Sequence, residues 1–143
     1  MSRLLFLSLP VNDLAASRRF FEQLGFEFNQ RFCDEGAVCM VVSDQAFVML
    51  LQRECFAGFV TRPVADARVA TAMTVAIGAE SREAVDAFAE SALAAGATPG
   101  KDLLDFGFMY QRSFHDLDGH FWEVIWMDRP AAGSGDQPTS SPS

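Results

Sequence analysis

Apolar residues along the chain follow two spacings, and the order in which those spacings alternate occurs twice. Residues 4–11, LLFLSLPV, form a short apolar run that ends at Asn12-Asp13. Apolar positions then recur at Leu14, Ala16, Phe20, Phe21 and Leu24. These are neighbours on one helix face, so the pattern predicts a helix capped by Asn12 or Asp13 and stopped by Gly25. Three strand-length stretches follow, 26–32, 37–42 and 46–51, divided by Asp34-Glu35-Gly36 and Ser43-Asp44-Gln45, residue types that favour turns. The first half therefore reads βαβββ.

A polar connection through Arg62, Pro63 and Asp66 leads into a second round. Residues 70–77 read as a strand, and a helix capped near Ser81 carries the stripe Val85, Phe88, Ala89, Ala92 and Leu93 before Gly96 closes it. Strands are predicted near Thr98, at 106–114 and at 120–127, the last two joined by Asp116-Leu117-Asp118-Gly119. The repeat is one of pattern and not of identity, with modules at about 1–60 and 68–128. Residues 129–143 shift to Pro, Ala, Gly, Ser, Asp and Thr without apolar periodicity, which predicts a disordered tail.

A chain of 143 residues suits one domain with an internal duplication, here 1–128, better than two independent cores. Half of its residues are hydrophobic and 14 are Phe, too apolar for a disordered chain. No apolar run approaches the ~20 residues of a membrane span, and Met1-Ser2-Arg3 opens onto a strand-like run with no signal cleavage site, so a cytoplasmic location is expected. The net charge of -8, with only eleven Lys and Arg spread along the chain, argues against nucleic acid, because phosphate neutralisation needs clustered cations. A small molecule is the expected partner. Cys33, Cys39 and Cys55 are odd in number and lack CxxC spacing, so reduced thiols are expected rather than a disulfide framework or a zinc site.

Side chains alternate across a strand, so one sheet face packs on helices and the other looks into a cup. In the last strand Trp122, Val124 and Trp126 share one face and Phe121, Glu123 and Ile125 the other. Glu123 is then a lone carboxylate in an apolar strand, costly unless paired, protonated or cation-bound. It either meets an arginine such as Arg112 or Arg53, reaches water at an edge, or serves the site. Tyr110 and Arg112 are expected to face the same cup, where the phenol either bonds a ligand or Glu123 or reaches solvent at the rim. Phe6, Met49, Leu51 and Phe121 are expected to line it. His115 and His120 flank the last turn, and parity sets His120 opposite to Glu123; with Asp116 and Asp118 they read as turn-side residues.

The stretches LFLSLPVNDLAASRRFFEQLGF, AFVMLLQRECF and FGFMYQRSFHDLDGHFWEVIWMD resemble the vicinal-oxygen-chelate superfamily of glyoxalases, bleomycin-resistance proteins and extradiol dioxygenases. Together they span most of residues 4–128. The resemblance implies an α+β fold of two βαβββ modules that form a cupped, incomplete mixed β-barrel with helices outside, and a homodimer. In metal-dependent members four ligands hold a divalent ion. Those positions fall on Phe6, Met49, Ala72 and Glu123, of which only Glu123 carries a ligand, so no cofactor is expected. The reading is a small-molecule-binding protein with a degenerate metal site, ligand-contacting at Phe6, Met49, Leu51, Ala72, Arg112 and Phe121. The alternatives are a lyase or extradiol-dioxygenase-like enzyme in which Glu123 and Tyr110 are catalytic, and a non-catalytic interaction protein.

Overall fold

The computed structural model describes residues 3–128, and the predicted tail at 129–143 lies outside them. Two compact units emerge, one running up to Ala70 and including Leu117–Gly119, the other comprising Thr71–Asp116 and the chain from His120. Among the described residues no helix is long and apolar enough to cross a membrane.

The first unit follows the predicted order. Strand β1 (Leu5–Val11) leads to helix α1 (Leu14–Gln23), where the Asp13 side chain accepts from Ala16 N at 3.1 Å. Strands β2 (Glu27–Phe28), β3 (Ala37–Val41) and β4 (Ala46–Gln52) follow, and the sheet order is β1-β4-β3-β2 with β1 and β4 parallel. The expected strand at 26–32 shrinks to two residues. Asn29 is the reason: its side chain accepts from Arg31 N at 3.1 Å and starts a 3-10 turn over Gln30–Phe32. A helix absent from the sequence reading, α2 (Arg53–Ala57), follows β4.

The second unit is built the same way. Strand β5 (Thr74–Gly78), helix α3 (Arg82–Ala94), strands β6 (Thr98–Pro99), β7 (Leu104–Asp105), β8 (Met109–His115) and β9 (Phe121–Met127) make a sheet ordered β5-β9-β8-β6, with β7 also on β8. Ser81 caps α3 by accepting from Ala84 N at 3.0 Å. Gly25 and Gly96 follow α1 and α3 at φ 99° and 118°, a left-handed conformation that other residues adopt at a cost. Two predicted strands are corrected. Residues 70–73 are not strand, because Asp66 turns the chain just before them, its carboxyl accepting from Arg68 N and its carbonyl from Val69 N, both at 3.0 Å. The strand at 106–114 breaks at Gly107, φ 82°, where Asp105 accepts from the glycine N–H at 2.9 Å and folds a β7–β8 hairpin.

In both units one sheet face packs on a helix. Leu9, Val11, Val38, Met40, Val48 and Leu50 are buried with Phe20 and Phe21 of α1, whose rings meet edge to face at 4.8 Å. In the second unit Val85 and Ala89 of α3 pack with Val124, and Phe88, Tyr110 and Trp126 join them. Both sheets stay open, as expected of an α+β fold without a closed barrel.

Candidate functional site

On the first sheet, the face turned away from the buried core carries Phe6 and Ser8 of β1 beside Phe47, Met49 and Leu51 of β4. The parallel register, Phe6 opposite Phe47 and Ser8 opposite Met49, puts these side chains in one patch. Phe6 stacks on Phe47 at 5.1 Å. Beside them opens an apolar cavity of about 440 Å³ lined by Ser8, Met49, Leu51, Phe56, Phe59 and Val60. The segment that supplies its last three residues is pinned at both ends of its approach. Gln52 Oε1 accepts from Leu14 N at 2.8 Å, and the Arg53 guanidinium donates to the Val64 and Ala65 carbonyls at 3.0 and 3.3 Å. Arg53 is therefore committed to backbone. An apolar concavity with one hydroxyl can hold an apolar ligand and orient it by a single hydrogen bond.

On the second sheet, parity separates the expected site residues. Tyr110 pairs with Trp126, Arg112 with Val124 and Phe114 with Trp122, all on the face that α3 covers. Tyr110 donates to Asp86 of α3 at 2.8 Å, and Arg112 reaches Asp86 at 3.3 Å and Glu90 at 2.7 Å. The expectation that Tyr110 and Arg112 share a cup with Glu123 thus fails, because they sit one residue out of phase with it. Glu123 instead shares its face with Phe121 and Ile125 and, across the register, with Gln111, Ser113 and His115. Its carboxylate accepts from Gln111 Nε2 at 2.8 Å in a half-buried setting. Among the described residues no ion pair reaches it. Phe121 packs edge to face with His115 at 5.1 Å. Ala72 lies ahead of β5, so it is not on the sheet. Register places Thr74 opposite Phe121, as it places Phe6 opposite Phe47, and Thr74 is the counterpart of Phe6 in the repeat.

The helix-side polar cluster has its own electrostatics. Arg82 binds Asp105 through two bonds of 2.8 Å and lies over the Tyr110 and Trp126 rings at 4.9 and 5.3 Å. Its bond to Asp105, aided by the Gly107 N–H, holds the Asp105 carboxyl down to about 2. The bond that Tyr110 donates to Asp86 pushes the phenol above its usual range, and the Glu90 bond raises Arg112 further. These groups brace α3 against β8.

Asp116 and Asp118, read from sequence as turn formers, are both 7 % exposed and do more. Asp116 accepts from His120 N at 3.0 Å and from the Trp122 indole at 2.9 Å. Asp118 accepts from Asn12 N, Asn12 Nδ2 and Ser17 Oγ at 2.8, 3.0 and 3.1 Å. Among the described residues no group of three or more His, Cys, Asp or Glu is placed to hold a metal ion.

A family model described as bleomycin resistance protein-like N-terminal matches residues 3–43, which span β1 to β3. No curated protein matches by sequence. Solved structures match along most of the chain. A hypothetical protein of S. aureus superposes with TM-score 0.74 at 23 % identity, covering 88 % of this chain and 94 % of that one. A glyoxalase/bleomycin resistance protein/dioxygenase family enzyme from Burkholderia phytofirmans superposes with TM-score 0.73 at 18 % identity, over 88 % and 99 %. The chain has the vicinal-oxygen-chelate fold. A genomically encoded fosfomycin resistance protein from Listeria monocytogenes, bound to Mn(II) and 1S,2S-dihydroxypropylphosphonic acid, shares it with TM-score 0.65 and 18 % identity, over 87 % and 89 %.

Metal-dependent members of the vicinal-oxygen-chelate fold need oxygen or nitrogen donors on four strands. Here the first two positions, Phe6 and Met49, offer a ring and a thioether. The third offers a methyl at Ala72 or, by register, a neutral hydroxyl at Thr74. Glu123 alone is a hard anionic donor, and one carboxylate does not hold a divalent ion in competition with water. Sequence reasoning missed Gln111, which lies one position from Tyr110 and from Arg112, where parity was applied, and Phe56, Phe59 and Val60, whose RECFAGFV context carries no strand or long-helix signal. For Gln111 the usable signal was its odd-numbered place on β8, in phase with Ser113 and hence with Glu123.

Proposed function

We propose that this chain is a glyoxalase/bleomycin-resistance-like small-molecule-binding protein that holds its ligand by apolar contact instead of through a chelated metal. The apolar cavity of about 440 Å³ carries this reading, because Met49, at a position where the chemistry of the fold asks for a metal donor, is part of its wall. The volume matches a small-molecule site. The test titrates 2-naphthylmethanol, a neutral aromatic alcohol, into the protein by calorimetry with and without chelator, alongside elemental analysis. Saturable binding that ignores chelator and weakens in Phe59→Ala supports the reading. Stoichiometric divalent metal that disappears in Glu123→Ala overturns it and restores a metal enzyme.

A second reading keeps catalysis: a lyase-like or ring-cleavage-like reaction in which Glu123 takes a proton. Its support is the half-buried Glu123 carboxylate, which Gln111 holds in one orientation through Oε2 and which keeps lone pairs that can accept a proton. Tyr110, turned toward Asp86, gives that reading no help. We also propose a cytoplasmic protein, consistent with three free cysteines, and a homodimer. Leu4, Leu5 and Phe6 are 59 %, 62 % and 54 % exposed at the edge of the first sheet, an apolar surface that a second copy would cover. Light scattering that reports a monomer at micromolar concentration refutes the dimer.

A further inference from the structure

We infer that the second unit carries a binding site of its own, at the edge of its sheet, that takes a small aromatic carboxylate through Lys101. The site is additional to the apolar cavity of the first unit and shares no lining residue with it.

The site arises from a break in the ladder along the edge of β8 that faces away from β9. Pro99 of β6 stands opposite Phe114, and Leu104 of β7 stands opposite Gln111. The four residues 100–103 therefore face only two, Arg112 and Ser113, and the surplus chain leaves the sheet as a bulge, a device that re-aims side chains at sheet edges. Two local contacts hold it. Ser113 Oγ accepts from Lys101 N at 2.8 Å, and Gly100 runs so close to β8 that a Cβ on it would lie 2.5 Å from Ser113 Oγ, an approach that glycine permits. The bulge forms one side of a cavity of about 240 Å³, and α3 and β8 form the others. Leu93, Pro99 and Leu103 supply apolar wall, and Asp86, Lys101, Tyr110 and Arg112 supply polar groups.

Those polar groups are not equivalent. Asp86 accepts from Tyr110 Oη at 2.8 Å and from Arg112 at 3.3 Å, and Arg112 also donates to Glu90 at 2.7 Å. Their charges are matched within the protein. Among the described residues no carboxylate stands within ion-pair distance of Lys101, so its ammonium is the charge in the wall that a ligand can meet. The complementary group is an anion. Asp86 in the same wall repels a second negative charge, which favours a carboxylate over a phosphate dianion. A cavity smaller than drug-sized sites limits the body of the ligand to about one ring, and the three apolar residues suit its faces.

Benzoate and benzamide, nearly the same shape with and without the charge, test this by NMR titration of the full chain at neutral pH. Benzoate should shift the amides of Gly100, Lys101 and Leu103 saturably and bind about fivefold tighter than benzamide, the scale of a partly exposed ion pair. The preference should shrink as salt is raised. Lys101→Met, which keeps most of the stem and removes the charge, should abolish the preference and leave the affinity for benzamide unchanged, whereas Lys101→Arg should retain it. Equal affinity for the two probes in the wild type overturns the inference, and so does a preference that survives Lys101→Met. If benzoate leaves these three amides unmoved, this site fails while the apolar cavity of the first unit, tested through Phe59, stands or falls separately.

Discussion

Asp118→Ala removes a carboxylate that turns a hairpin tip into a fastening for the start of α1. Asp118 accepts from Asn12 N at 2.8 Å, Asn12 Nδ2 at 3.0 Å and Ser17 Oγ at 3.1 Å. The groups it leaves behind are not equivalent. Asn12 is exposed, so water takes over its donors at little cost. Ser17 is 3 % exposed, so its hydroxyl is orphaned, a loss of about 1–3 kcal/mol by itself. Adding the surplus strength of bonds made to a charged acceptor brings the total to about 3 kcal/mol. Arg68 adds nothing of weight: it stands 4.0 Å away and is 55 % exposed, a geometry in which ion pairs contribute little. Asp118→Asn keeps one acceptor and shape, and should lose roughly half as much. Urea unfolding of wild type, Asp118→Asn and Asp118→Ala, followed by tryptophan fluorescence, measures the series. A loss below about 1 kcal/mol in Asp118→Ala, the range of an ordinary surface substitution, would mean that Asp118 only shapes its own turn.

Other outcomes follow from the second unit and the cysteines. Asp105, held to about 2 by Arg82, should titrate that low by NMR and return toward the ordinary carboxylate value in Arg82→Met. Its folded pKa is depressed, so its stabilising contribution is present above the unfolded value of 3.8 and fades as pH falls toward about 2. Tyr110 is the chain's single tyrosine, so alkaline absorbance titration reads it alone. The Asp86 bond raises its pKa, and Asp86→Asn should shift the transition to lower pH. The sign for stability is opposite to that of Asp105: the contribution is complete below the unfolded phenol value and is lost as pH rises through the folded one. Burial pushes the Cys39 thiol up, with Cys33 adding to the shift. In native protein a thiol reagent should therefore modify half-buried Cys33 and Cys55 before Cys39, and simultaneous loss of all three would show that β3 opens readily.

The helices and their ends were legible in the sequence because they depend on neighbours in the chain. Asp13 and Ser81 cap α1 and α3, Gly25 and Gly96 end them, and each of these is a contact across a few residues. The doubled βαβββ order was legible for the same reason, and so was the split of β9 into a Trp122 face and a Glu123 face, since period-two alternation needs only the local backbone. What tertiary structure decided was phase and partner. Tyr110 and Arg112 look identical from sequence whether β8 meets β9 in one register or slips by one residue, and that single step sends them to Asp86 and Glu90 instead of to Glu123. Ala72 lost its place because Asp66 turned the chain ahead of β5, so that the strand begins only at Thr74. Asp118 reads as a turn residue until Asn12 and Ser17, more than a hundred positions earlier in the chain, are brought to it. Hydrogen-bond partners of buried charges are chosen by which elements pack together, and spacing along one strand carries no information about that choice.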